Sequence, residues 1–473
     1  MVIVGLGNKA VDEAKERVRS AFSSSGLTMP AKRITINLAP ADIPKESTSL
    51  DLAIAIAILQ TSGQVSFCKL DKTCAIIGEI GLDGNIRPVR GIIGKLINGK
   101  KMGIKTFFVP ERNMGQARLV RDIDIVAVAN IRDFYGELQP SKNDAETESN
   151  DIETTERPTV CAESLTDVAG QEAAKRALEI AAAGGHNILL IGPPGTGKSM
   201  LAKAFPSLLP PLSHEEILEV THLHSLARNN YEQLVRRRPF RAPHHSSSYI
   251  SMVGGGTNTR PGEITLSHRG VLFLDEIPEF SRMTLEALRQ PLEDKRISIS
   301  RAKQSVEYPA HFILIATANP CPCGYYGTPK PCHCTPAQVL HYQHKLSGPI
   351  LDRIDLHVNV HTVEHNLLLG PRSTQTSDDS IRNRVVQARA LQATRYRSPL
   401  KLNTDMDTSD LRTKAKLGST AHELLNKAAE RLDLSARSYT RTVKIARTIA
   451  DLEESSIILP THVSEALQYR PAG

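Results

Sequence analysis

Eight consecutive residues limit what this chain can fold into: Gly192, Pro193, Pro194, Gly195, Thr196, Gly197, Lys198 and Ser199. They fit G-x-x-x-x-G-K-[ST], a pattern that works only between a buried parallel strand and a helix. Both flanks comply. Asn187 to Ile191 is a short apolar run of the buried-strand type, and Met200 to Phe205 reads as the first turns of a helix. In that setting the glycines let backbone N–H groups turn inward around phosphates, and the helix N-terminus adds partial positive charge. Lys198 is placed to reach the β- and γ-phosphates of ATP, and Ser199 to ligate Mg²⁺.

Two more apolar stretches end in the groups that nucleotide hydrolysis needs. Gly270 to Glu276 reads as a strand closing on two carboxylates. Asp275 is placed to hold Mg²⁺ through water, and Glu276 to orient and deprotonate the attacking water. Phe312 to Asn319 reads as a third strand, with Asn319 positioning that water or sensing the γ-phosphate. Any one of these strands alone suits a core. Together they predict an α/β fold with a parallel sheet, and ATP hydrolysis.

The 473 residues have room for two or three domains. No apolar run approaches the length that spans a bilayer, and no secretory leader opens the sequence, so a cytoplasmic protein with no membrane partner is expected. Seven cysteines without a leader argue against a disulfide framework. The net charge of +7 permits nucleic-acid binding without requiring it, and the absence of tryptophan removes the indole as a base-stacking platform.

Residues 1–139 read as a mixed α/β domain. Its expected parts include a strand from Val2, a helix from Ala10 to Ser25, a buried helix from Ser49 to Thr61, and a hairpin about Asp83, Gly84 and Asn85. Residues 140–160 are acidic and nearly free of apolar side chains, which marks a linker. Residues 161–370 form the nucleotide-binding core, 371–380 a second polar linker, and 381–473 a small helical lid.

The stretch from Lys198 to Asp275 is roughly twice a minimal strand–helix–strand step of ~30 residues, so something is inserted. The candidate runs from Phe240 through His244 and His245 to Arg260 and Gly262, rich in glycine, serine and histidine. His222, His224, His244, His245 and His268 lie close in sequence, and metal binding and substrate contact are both open to them. A second projecting element, Arg296 to Tyr308, alternates apolar and polar residues around Arg301, Ala302 and Lys303, the pattern of a β-hairpin with a basic tip. Arg301 and Lys303 are candidate DNA contacts, with His244, His245 and Arg260 beside them; repeated around a ring they would form an electrostatic funnel for a phosphate backbone. The alternative is a solvated turn.

Cys321, Cys323, Cys332 and Cys334 fall within fourteen residues. Their softness and number suit tetrahedral Zn²⁺; free thiols in a Pro/Gly loop are the alternative. Arg437 stands in the first turn of a helix, where its charge opposes the favourable sign, so a negative group is expected near it. A γ-phosphate would serve.

The residues that carry a resemblance are Arg241 to His245, Gly254 to Gly256, Pro261 to Ile264, His268 to Glu276, Leu346 to Pro349 and Ser435 to Tyr439. On these the chain resembles the ComM (YifB) group of magnesium chelatase-related AAA+ ATPases over nearly its whole length. Residues 1–139 are similar to the Lon-like (S5-like) domain, through Pro44 to Glu46, Ile77 to Ile80 and Gly103 to Pro110. Such relatives carry a further stretch before the strand at Val2, so the domain reads as N-terminally short, with an exposed sheet edge expected. In Lon-type peptidases a serine and a lysine form the catalytic dyad. Ser49 falls at the serine position, but Ile93 falls at the lysine position, with Lys95 two residues on. A serine without its base implies a structural or docking domain, not an active protease.

The resemblance also implies an AAA+ core whose leading segment, Leu165 to Gln171, lines the adenine pocket. Arg353 falls where AAA+ rings carry an arginine that reaches the neighbour's γ-phosphate; a salt bridge to Asp352 or Asp355 is the alternative. A homohexamer is implied, one that drives branch migration of DNA in homologous recombination, integrates transforming DNA and has recombination proteins for partners. Two other functions stay open. A porphyrin metal-insertion ATPase would need partner subunits for porphyrin and metal. A protein remodeller would need aromatic pore residues, which the tip at Arg301 to Lys303 lacks.

Overall fold

In the computed structural model the described residues are 1–5, 9–39, 48–64, 73–138, 163–227, 232–256, 259–301, 304–346, 348–363 and 378–471. The acidic linker expected at 140–160, the stretch Pro44 to Glu46, and Ala302 and Lys303 at the expected hairpin tip lie outside them. The chain divides into two compact units, Met1–Thr155 with Ser213–Val235, and Glu156–Leu212 with Arg236–Gly473.

In the first unit a parallel sheet runs Cys74–Ile76, Thr106–Pro110, Asp124–Val128. The strand Val2–Val4 pairs in parallel with Thr35–Asn37, and its Val2 and Val4 side chains are exposed. The helix Asp51–Thr61 is buried nearly all round, as its unbroken apolar run predicts, and Leu52, Ile56 and Leu59 join Val18 and Phe22 in one core. The expected hairpin pairs Glu79–Ile80 with Ile86–Arg87.

The insertion after Lys198 is not confined to Phe240 to Gly262. Residues 213–235 leave the nucleotide-binding core and fold with the first unit. Their helix, His214–Ala227, packs Leu218 against the cluster of Ile92, Ile93, Leu96 and Phe107. The His222 ring rests on Gly94 so closely that a Cβ there would meet it at 2.7 Å. The docking is hidden in the sequence because Glu216, Thr221 and Ser225 are buried along with Val220 and Leu223, so no apolar stripe marks the packed surface. Lys95 faces the same helix: burial lowers the basicity of its ammonium, and burial together with the Lys95 charge lowers that of His222.

The second unit holds a five-stranded parallel sheet in the order Leu356–Asn359, Ile188–Ile191, Ile313–Ala318, Val271–Leu274, Phe240–Arg241. Both faces are covered, so the strands are apolar throughout instead of alternating. Ile188, Leu190, Val271, Phe273, Ile313 and Ile315 face one core. Leu189, Leu272, Leu274, Leu314 and Ala316 face the other. Each of the larger of these side chains, the valine, leucines, isoleucines and phenylalanine, contributes about 1.5–3 kcal/mol by leaving water.

The first of these cores includes Ile381, Val385, Ile445 and Ile449, so the C-terminal helices Asp378–Tyr396 and Ala436–Leu452 share one interior with the sheet. The linker expected at 371–380 ends early. Asp378 already begins a helix, and its carboxylate accepts from the Leu165 and Thr166 N–H groups at 3.1 and 3.2 Å. The expected hairpin forms between Arg296–Arg301 and Gln304–Pro309, with Arg301 opposite Gln304. Ile297 and Ile299 bury its stem, and the Tyr308 hydroxyl donates to the Thr259 carbonyl at 2.6 Å.

Candidate functional site

The glycine loop follows the strand Ile188–Ile191 and precedes the helix Lys198–Ala204. Gly192 passes so close to the neighbouring strand end that a Cβ would meet the Val360 carbonyl oxygen at 2.2 Å. Gly195 and Gly197 have φ of +79° and +84°, which L side chains rarely adopt. Thr196 braces the loop by donating to the Pro193 carbonyl at 2.9 Å. The expected adenine-side segment does reach this loop: the Gln171 carboxamide donates to the Thr196 carbonyl at 3.3 Å and to the His361 carbonyl at 2.5 Å.

Lys198 is buried and folds back on its own loop. Its ammonium donates to the Gly192 and Pro193 carbonyls at 2.7 and 2.8 Å and to the Asn319 side-chain oxygen at 3.2 Å. Burial lowers its basicity, and the Asp275 and Glu276 charges oppose that shift. Three groups predicted from separate strands thus converge. Ser199 completes the set by donating to the second Asp275 oxygen at 3.1 Å. A hydroxyl beside a carboxylate is the donor pair that Mg²⁺ takes, and the residues present fit that ion.

Two residues that carried no assignment from sequence organise this centre. Thr317 is fully buried; its hydroxyl donates to Asp275 at 2.5 Å and accepts from the Glu276 N–H at 2.9 Å. The signal was a lone hydroxyl two residues before Asn319, on the same strand face. Glu276 itself adopts φ +51°, a left-handed conformation unusual outside glycine. The other unassigned residue is Glu293. Its carboxylate pairs with Arg353 and, at 2.9 Å, with Arg437. The negative group expected beside Arg437 is therefore Glu293, and Arg353 bridges to Glu293, not to Asp352 or Asp355. No sequence signal pointed there, because the partners lie far apart along the chain. Asn187 fixes Arg353 from the sheet by donating to its carbonyl at 3.1 Å while accepting from the Leu314 N–H at 2.9 Å. A cavity of about 400 Å³ adjoins the two arginines, with Asp355, Arg441 and Lys444 also on its wall.

The Sγ atoms of Cys321, Cys323, Cys332 and Cys334 all lie within 4.8 Å of one another. Among the described residues this is where metal-ligating side chains gather; the histidines do not join it. His244 and His245 are exposed with ring centroids 4.1 Å apart, whereas His268 is buried and accepts from the His311 N–H at 3.1 Å. Arg260 is exposed on the short hairpin Gly254–Gly255 with Arg260–Pro261. Arg301 ends its strand next to the tip, and Lys303 lies outside the described residues. No helix among the described residues is long and apolar enough to cross a membrane.

Three family descriptions match in chain order. Residues 1–113 match subunit ChlI of Mg-chelatase, 164–368 match magnesium chelatase, subunit ChlI, and 375–470 match the ChlI C-terminal family. The chain is 43% identical to the protein YifB of Escherichia coli over 478 residues, covering 99% of this chain and 91% of that one. It is 41% identical to the competence protein ComM of Haemophilus influenzae over 476 residues, with the same coverage. A stretch of 110 residues is 29% identical to the Lon protease of Mycoplasma pneumoniae, covering 22% of this chain and 14% of that one.

Proposed function

Because the chain belongs to the YifB and ComM group of magnesium chelatase-related AAA+ ATPases, we propose that it is an ATP-driven motor on DNA. In this reading a hexameric ring moves branch points during homologous recombination and the integration of transforming DNA. It works in the cytoplasm, where ATP and DNA meet. The observation that carries the DNA reading is the hairpin Arg296–Arg301 with Gln304–Pro309, whose apolar stem is anchored in the core while its sequence puts Arg301 and Lys303 at the turn. Cations on a rigid stem grip a phosphate backbone without regard to sequence. The exposed His244, His245 and Arg260 supply further contacts.

The convergence of Lys198, Asp275, Glu276 and Asn319 supports hydrolysis with the following roles. Lys198 and the N–H groups of Gly195 to Ser199 are read as holding the phosphates; Ser199 and Asp275 would hold Mg²⁺, which would supply neutralising charge to the phosphates. Glu276 takes the proton of the attacking water, and Asn319 orients that water. Thr317 fixes the Asp275 carboxylate and the Glu276 backbone, so both carboxylates keep their geometry through turnover. Arg353 and Arg437 share one carboxylate, so one γ-phosphate arriving from a neighbouring subunit could draw both away from Glu293. Assembly and hydrolysis are coupled by that exchange. The four cysteines are read as a structural Zn²⁺ site.

A protein-remodelling reading has one observation in its favour: Tyr249 and Ile250 are exposed beside His244 and His245. The deciding experiment is ATP-dependent migration of a synthetic three- or four-way DNA junction, with Lys198→Ala as control. Movement by the wild type alone supports the motor. No movement, with ATPase unstimulated by any DNA, would overturn it and favour a polypeptide substrate. Arg301→Ala with Lys303→Ala is expected to spare basal ATPase and weaken binding to every DNA sequence.

A further inference from the structure

The cysteine loop is tied to the ATP site at three points. It begins two residues after Asn319, the residue that takes the Lys198 ammonium. Within it Gly324, at φ +84°, lies so near the phosphate loop that a Cβ would meet the Pro194 side chain at 2.5 Å. Beyond it the helix Pro336–His344 turns back, and Gln343 donates to the Pro320 carbonyl at 3.3 Å. The loop between these points has little apolar interior; Cys321 is its buried side chain, and the thiols meet one another instead of a core.

The thiol geometry is that of a metal site. Cys321 lies 3.4 Å from Cys323 and 3.8 Å from Cys332, and Cys323 lies 3.5 Å from Cys332, sulfur to sulfur. Four sulfurs about 2.3 Å from a tetrahedral Zn²⁺ stand about 3.8 Å apart. The Tyr326 N–H points at the Cys321 sulfur at 3.3 Å, a donor that stabilises a thiolate.

We propose that zinc held by Cys321, Cys323, Cys332 and Cys334 braces the ATP site: it fixes the loop that seats Gly324 on Pro194 and holds the Asn319 end of its strand. The proposal rests on the zinc reading above and adds that turnover depends on the metal. Without zinc the loop has no interior to hold it, Pro194 loses its support, and Asn319 loses its fixed position opposite Lys198.

The test uses the full chain purified without chelator. Metal analysis is expected to find about one zinc per chain. Cys332→Ser with Cys334→Ser should lose the zinc and, by the scale of other residues that support a metal centre, about tenfold or more in kcat, with ADP affinity changed less. Gly324→Ala keeps all four thiols, so it should retain zinc and still lose turnover. Absence of zinc in the wild type, or two disulfides in its place, overturns the metal reading and the brace with it. Zinc in the wild type, with wild-type turnover in a folded zinc-free variant, overturns the brace alone. Should the double variant fail to fold, Gly324→Ala decides: full turnover with zinc bound overturns the brace.

Discussion

The Thr317 hydroxyl donates to the Asp275 carboxylate at 2.5 Å and accepts from the N–H of the next residue, Glu276, at 2.9 Å. One side chain thereby joins the strand that ends in Asn319 to the strand that ends in the two carboxylates. Thr317→Val keeps the shape and removes both hydrogen bonds. It is expected to lower kcat about tenfold or more, as loss of a positioning contact does, with little change in KM. Thr317→Ser should restore most of the rate. A valine variant with wild-type kcat would show that the Glu276 backbone holds itself.

Arg353 and Arg437 meet on Glu293, and neither is hydrogen bonded to the phosphate loop of its own chain among the described contacts. If both act on a neighbour's nucleotide, Arg353→Ala and Lys198→Ala should each be inactive alone. Mixed before assembly, they should recover part of the ATPase, because some interfaces then pair an intact loop with an intact arginine. Mixtures no more active than either variant would place the arginine in cis.

Stability should depend on pH through two histidines, His357, which is buried, and His311, which is partly buried. Burial, with the Arg441 charge, pushes His357 down to about 4, and burial pushes His311 down to about 4 against the pull of Asp405. Both rings stay neutral when folded, whereas the unfolded chain takes up protons near 6.5. Between those values the unfolded state binds more protons, so stability falls as pH falls through that window and is unaffected well above it. Each ring costs about 2 kcal/mol at pH 5 relative to pH 8. Calorimetry from pH 8 to pH 5 should show a falling Tm, and His357→Gln should flatten part of the fall. A flat wild-type profile would contradict this.

Asp451 is buried between two guanidiniums. It pairs with Arg395 and, at 2.9 Å, with the fully buried Arg447, and it accepts from the Asn403 carboxamide at 2.9 Å. Asp451→Ala leaves those charges unpaired inside the lid, at a cost of about 3–5 kcal/mol. Thermal unfolding of the variant measures it; a loss below 1 kcal/mol would mean that water reaches the site.

Much of the molecule was legible in advance where function depends on local order. The phosphate loop, both flanking elements, the carboxylate strand, the amide strand and the basic hairpin are each written in a few consecutive residues, because backbone geometry and side-chain alternation act over that range. The amino-acid order by itself therefore determined the parallel sheet, the phosphate-loop pattern with the carboxylate and amide strand ends, and the four clustered thiols. Tertiary structure alone decided the pairing of Arg353 and Arg437 on Glu293, the anchoring of Asp275 by Thr317, the departure of residues 213–235 into the first unit, and the seating of Gly324 on Pro194. Each of these joins surfaces that are distant in sequence. A carboxylate, a hydroxyl or an absent Cβ carries no mark of its partner until packing brings the two within a few ångströms.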